Sequence, residues 1–69
     1  QAIGQTPHRY LLMRRLQRAK KMLLTSEMPL SEVALASGFT SQSYFNYVFK
    51  KETGLTPKQF REKGSLEYS

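Results

Sequence analysis

Sixty-nine residues with a formal charge of +6, no cysteine and a single histidine, His8, can form one small domain at most. That inventory excludes disulfide staples, thiolate metal sites and the usual multi-histidine zinc arrangements. Stability must then come from apolar packing, in a chain that buries only roughly 60% of its unfolded surface.

Four tyrosines and four phenylalanines make the chain too apolar for a disordered basic tail. The positive balance points to polyanionic partners, nucleic acid before an anionic membrane surface. No apolar run approaches the length of a membrane span, and no signal-peptide pattern is present. A soluble, cytoplasmic protein is the simplest expectation, and the start at Gln1 reads as a fragment of something longer.

The first helix signal is Thr6-Pro7, a capping residue followed by a proline in the first turn, where no N–H is needed. Nothing interrupts the chain from Pro7 to about Leu24. Leu12, Leu16, Ala19 and Leu23 recur at spacings of four, three and four, one core-facing stripe. Tyr10, Met13 and Leu24 lie almost opposite, as expected of a helix that bridges two packed units.

Pro29 closes a connector from Thr25. A short second helix is expected from Ser31, a capping residue backed by Glu32, to about Ser37, where Gly38 can turn the chain. Thr40 and Ser41 cap a third helix from about Ser41 to Glu52, ended by Gly54. Thr56-Pro57 opens a fourth through Phe60 to about Lys63, and residues 64–69 read as a frayed tail. No strand pattern appears, so the fold class is all-α.

Ser31 to Phe49 has the pattern of a helix-turn-helix. Val33, Leu35 or Ala36, and Phe39 form the inward face of its first half. Ala34 is small enough for a close helix crossing. The second half buries Phe45, Val48 and Phe49, which leaves Gln42, Ser43, Asn46, Tyr47 and Lys50 on the opposite side. A helix with an amide-rich outer face suits the major groove, where Gln and Asn can address adenine with two bonds and Ser can meet several base edges. Tyr44 lies at the rim of the buried face. Lys50 and Lys51 fall nearer the phosphates. The open N–H groups near Thr40-Ser41 and Thr56-Pro57, with Lys58, offer further phosphate contacts.

The first helix also holds Arg9, Arg14, Arg15, Arg18, Lys20 and Lys21. Arg15 adjoins the apolar stripe and is expected to be partly buried and paired with Glu32. Arg9, Arg14 and Arg18 are further phosphate candidates, and His8 is a surface residue. No catalytic constellation or glycine-rich phosphate loop is present, so neither an enzyme nor a cofactor is expected. Two other readings compete with DNA binding. One is a module contacting an acidic protein through the basic first helix. The other treats that helix as lying on a membrane surface, against which its charges are spread all round.

The run TPHRYLLMRRLQRAKKMLL, with GF at 38–39, SYF at 43–45, FKK at 49–51, GLTP at 54–57 and FR at 60–61, closely resembles the DNA-binding domain of AraC/XylS-type transcription regulators. The likeness extends from about Gly4 to Arg61. It implies two helix-turn-helix units joined by a long helix. Residues 1–6 then correspond to the tail of the first unit, 7–24 to the linker, 31–52 to the second unit and 41–52 to its recognition helix. It further implies base contacts from the positions of Gln42, Ser43, Tyr44 and Tyr47, with Asn46 beside them. Regulators of this kind often activate by touching RNA polymerase. The first recognition helix is absent here, which implies weak binding by this piece alone. An effector or dimerisation domain is expected elsewhere in the protein.

Overall fold

A computed structural model describes residues 6 to 68, with side chains as far as residue 64. Within it the chain forms four helices, α1 (Pro7–Thr25), α2 (Leu30–Ala36), α3 (Gln42–Thr53) and α4 (Pro57–Tyr68). The described residues contain no strand, as the all-α expectation requires. The order of the helices and most of their ends also follow the sequence reading.

α1 begins as its opening dipeptide dictates. Thr6 is the N-cap, its hydroxyl accepting from the Arg9 N–H at 3.1 Å, and Pro7 occupies the first turn. Leu16, Ala19 and Leu23 are buried, while Leu12, Met13 and Met22 are partly so. Met13 therefore belongs to the core, against expectation. Tyr10 and Leu24 stay outside, as does Leu11. The buried stripe answers the membrane-surface reading, because the apolar groups such a helix needs are occupied by this core. No helix here is long and apolar enough to cross a membrane.

α2 starts two residues earlier than a cap at Ser31 would place it. Ser31 lies exposed inside the first turn and does not cap. Pro29 holds the cap position, where its carbonyl accepts from the N–H groups of Glu32 at 2.9 Å and Val33 at 3.0 Å. Leu30, packed against the core, draws the helix start inward. A second correction concerns the inward face. Val33 and Ala34 are buried, but Leu35 is 64% exposed and Ala36 is exposed too. On a helix of only seven residues, one narrow stripe meets the core.

The turn after α2 closes as a Schellman motif. The Phe39 N–H donates to the Ala34 carbonyl at 2.9 Å and the Gly38 N–H to that of Leu35 at 3.0 Å. Gly38 takes φ +101°, which a side chain would resist. Ser37, fully buried, donates its hydroxyl to the Val33 carbonyl at 2.6 Å, so it carries no unpaired polar atom into the core.

A row of rings forms the centre. Phe39 and Phe45 have centroids 5.1 Å apart, Phe45 and Phe49 5.6 Å, and Phe49 and Phe60 5.3 Å. This row ties the turn, α3 and α4 together. Each such pair contributes about 0.5–1.5 kcal/mol beyond its burial.

α4 extends past Lys63 to Tyr68, which corrects the frayed tail expected from Gly64. A glycine ends a helix by adopting positive φ. Among the described residues only Gly38 and Gly54 do so. Gly64 instead stays helical, with its bare backbone against α1, where Leu24 Cδ2 would meet an added Cβ. Arg61 reinforces the contact, its Nε donating to the Leu23 carbonyl at 3.2 Å in the last turns of α1. A cation is well placed at that negative helix end. The stretch expected to be the remnant of a first unit, residues 1–6, lies outside the described residues except for Thr6.

Candidate nucleic-acid interface

The outer side of α3 is set by what its inner side must do. Phe45 and Phe49 are fully buried and Val48 nearly so. With 3.6 residues per turn, residues 43, 47 and 50 then form the centre of the outward stripe. Residues 42 and 46 lie on one flank, 44 and 51 on the other. The helix start is fixed by Ser41, whose hydroxyl accepts from the Tyr44 N–H at 3.1 Å. This cap leaves the N–H groups of Gln42 and Ser43 without intrahelical acceptors, as at any helix start. Gly54, at φ +85°, ends the helix with its N–H donating to the Lys50 carbonyl at 2.8 Å.

Gln42, Ser43, Lys50 and Lys51 are all exposed. Tyr47 is 63% exposed, and the Lys51 ammonium sits 6.0 Å from its ring centroid. Tyr44 is 42% exposed, with one side of its ring 6.0 Å from Phe39. It is thus a rim residue, partly packed, with its other side open.

Asn46 departs from the simple outward picture. It is half-buried, and its Oδ1 is enclosed without a hydrogen-bond partner. It stands on the flank of the stripe, where α3 meets the start of α4. With Tyr47, Lys50, Lys51 and Thr56 it lines a wide-mouthed depression of about 410 Å³.

Of the residues expected at phosphates, Thr40, Ser41, Lys50, Lys51 and Lys58 are exposed and Thr56 is half-buried. Thr56 is engaged in a reciprocal cap. Its hydroxyl accepts from the Gln59 N–H at 3.1 Å, and its own N–H donates to Gln59 Oε1 at 3.0 Å. Pro57 has no N–H, so Lys58 supplies the free amide of that turn. The Thr56 hydroxyl proton remains available to a phosphate oxygen.

The charges of α1 divide differently from expectation. Arg9 does not face outward alone. It grips Glu52 with two bonds of 2.9 Å, the one ion pair among the described residues. Arg9 near the positive end of α1 and Glu52 near the negative end of α3 are each unfavourably placed by themselves, and pairing offsets both. These hydrogen bonds hold the Glu52 carboxyl below its ordinary range and push the Arg9 guanidinium up. Their spacing of 43 residues gave the sequence no signal for the pair.

Arg15 is half-buried as expected but does not pair with Glu32. Its side chain lies over Gly38 instead, its Nε 2.9 Å from where a Cβ would stand. Arg14 donates to the Tyr10 hydroxyl at 3.1 Å. The described residues hold no group of three or more histidine, cysteine or acidic side chains able to bind a metal.

Comparison with known proteins supplies the rest. Residues 1–63 match the family model of a helix-turn-helix domain. The probable transcriptional regulator LumQ of Photobacterium leiognathi is 41% identical over 59 residues, 86% of this chain and 24% of its own length. The probable transcription factor PqrA of Proteus vulgaris is 41% identical over 63 residues, 91% of this chain and 52% of its own. The chain therefore spans about half, or less, of these curated relatives. Among solved structures, the C-terminal domain of the two-component response regulator YesN from Fusobacterium nucleatum superposes with a TM-score of 0.81 at 42% identity. That match covers 86% of this chain and 57% of the other.

Proposed function

This chain belongs to the AraC-type helix-turn-helix family of transcription regulators, and from that premise we propose that α3 reads base edges in the major groove of double-stranded DNA. Gln42, Ser43, Tyr44 and Tyr47 are the reading side chains, with Asn46 on their flank. Thr40, Ser41, Lys50, Lys51, Thr56 and Lys58 bind the phosphates on either side. One observation carries the reading: Phe45, Val48 and Phe49 are sunk in the core, while the capped N-terminal half of the same helix shows its amide and hydroxyl groups to solvent.

The division of labour follows from chemistry. Gln42 carries both a donor and an acceptor on a rigid helix and can match adenine by two bonds. The N–H groups of Gln42 and Ser43 lie at a positive helix end, where a phosphate is favoured. Lys50 and Lys51 add charge without sequence preference. In the whole regulator, α2 and α3 act as the second of two reading units. α1 is the linker to the first, with Tyr10 and Leu11 turned outward to meet it. Contact with RNA polymerase and a cytoplasmic location follow from such a role. An acidic-protein partner for α1 fits less well, since Arg9 is committed to Glu52 within the chain.

The test uses duplexes selected by this chain from a random pool, against scrambled controls. Gln42→Ala should weaken the selected site by about 1–3 kcal/mol and leave the control unchanged. Lys50→Ala should weaken both alike and lower the salt slope by about one. If both variants lose equally on both duplexes, the roles assigned to α3 are wrong.

A further inference from the structure

The C-terminal half of α1, the end of α3 with the residue after it, and the middle of α4 leave a half-open cleft of about 390 Å³ that includes none of the outward residues of α3. Leu24, Leu55 and Phe60 give its lining an apolar part, and Lys20, Lys63, Thr53 and the bare backbone of Gly64 complete it. This volume lies in the range of small-molecule sites.

Three features bear on what the cleft would take. Leu24 is 40% exposed although it lies in an otherwise packed helix pair, so apolar surface here is left wet. The Thr53 hydroxyl on its lining is already engaged. It donates toward the Phe49 and Leu55 carbonyls at 2.8 and 3.0 Å and accepts from the Leu55 N–H at 3.1 Å. It has no proton left to donate to an anionic head group. Both ammonium groups, by contrast, lack an acidic partner among the described residues, where the one ion pair is Arg9 with Glu52. A cleft lined by apolar side chains and two lysines is complementary to a molecule with an apolar body and a negative head.

We propose that this cleft binds a small anionic amphiphile, a carboxylate carried on an apolar chain or ring. The apolar body lies along Leu24, Leu55 and Phe60, and the carboxylate reaches the ammonium groups of Lys20 and Lys63. The proposal is independent of DNA recognition, because none of these residues belongs to the reading face. It does place a ligand at the end of the ring row that runs through Phe49 to Phe45 in α3.

The experiment is an NMR titration of the 69-residue chain with octanoate, octanol and octylammonium at low salt. Octanoate should give saturable shifts centred on the amides of Lys20, Leu24, Leu55 and Phe60. It should bind roughly three- to tenfold more tightly than octanol, as two solvent-exposed ion pairs allow. Octylammonium should bind more weakly than octanol. Lys20→Gln with Lys63→Gln should bring octanoate to the level of octanol. Leu24→Gln, at a position 40% exposed, should weaken octanoate and octanol alike. Octanol matching octanoate on the unaltered chain, shifts centred on α3, or octanoate affinity unmoved by the double lysine change would each overturn the proposal. The three probes share one tail length, so they separate the head-group effect from unspecific apolar binding.

Discussion

Phe45 and Tyr47 stand two residues apart on one helix, and replacing each by leucine should produce opposite phenotypes. Phe45 has no exposed surface and contacts two rings, Phe39 at 5.1 Å and Phe49 at 5.6 Å. Leucine retains most of the apolar burial but forfeits both ring pairs. At about 0.5–1.5 kcal/mol each, the loss is about 1–3 kcal/mol. Small domains of this kind hold only about 3–5 kcal/mol in total, so the shift in urea midpoint should be large.

Tyr47 is mostly in solvent, and its nearest engagement is a lysine 6.0 Å from its ring. Tyr47→Leu should change stability by no more than about 1 kcal/mol, the value of an exposed cation–π contact. Urea titration followed by circular dichroism measures both. Fluorescence anisotropy on a selected duplex, in buffer without urea, measures binding. Phe45→Leu should raise the apparent Kd only by the inverse of its folded fraction. Tyr47→Leu should raise it severalfold while the chain stays folded. The reasoning fails if Tyr47→Leu unfolds the domain as readily as Phe45→Leu, or if Phe45→Leu leaves the urea midpoint in place.

Three further outcomes are expected. Gly38→Ala and Gly54→Ala both force a side chain to positive φ, at about 1–2 kcal/mol each, but only at Gly38 does the new Cβ meet a neighbour, Arg15 Nε at 2.9 Å. Gly38→Ala should therefore cost more in a urea titration, and the excess should vanish in an Arg15→Ala background. Ser41→Ala removes the acceptor of the Tyr44 N–H and should cost about 1 kcal/mol of stability. It should also weaken DNA binding; Ser41→Asp should restore the stability but not the binding, because its charge opposes a phosphate. Glu52 has a carboxyl held low by Arg9, so its stabilising contribution is complete above the ordinary glutamate range and disappears as pH falls through the lowered value. Arg9, pushed up, contributes at every pH below its ordinary value and does not set this acid window. The stability gap between the unaltered chain and Glu52→Gln should thus hold from neutral pH down to that range and then close. A gap that stays constant throughout acid titration would exclude the pairing.

Much of this molecule is legible from local chemistry alone. Caps and turns act within four residues, so Thr6-Pro7, Ser41, Gly54 and Thr56-Pro57 mark helix ends without help from the rest of the chain. The 3.6-residue period likewise assigns Phe45, Val48 and Phe49 to the core and hence turns Gln42, Ser43 and Tyr47 outward. What the sequence could not decide depends on groups that meet only after folding. Arg9 finds Glu52 across the helix pair, and Arg15 settles over Gly38 instead of an acid. Gly64 lies inside α4 with its bare backbone against Leu24 of α1, a contact the sequence does not announce. Asn46 turns half inward where α4 begins. Helix ends and faces answer to neighbours along the chain, whereas ion pairs, close backbone approaches and the cleft at Leu24 answer to distances that only the packing of α1 against α2 and α4, and of α3 between them, creates.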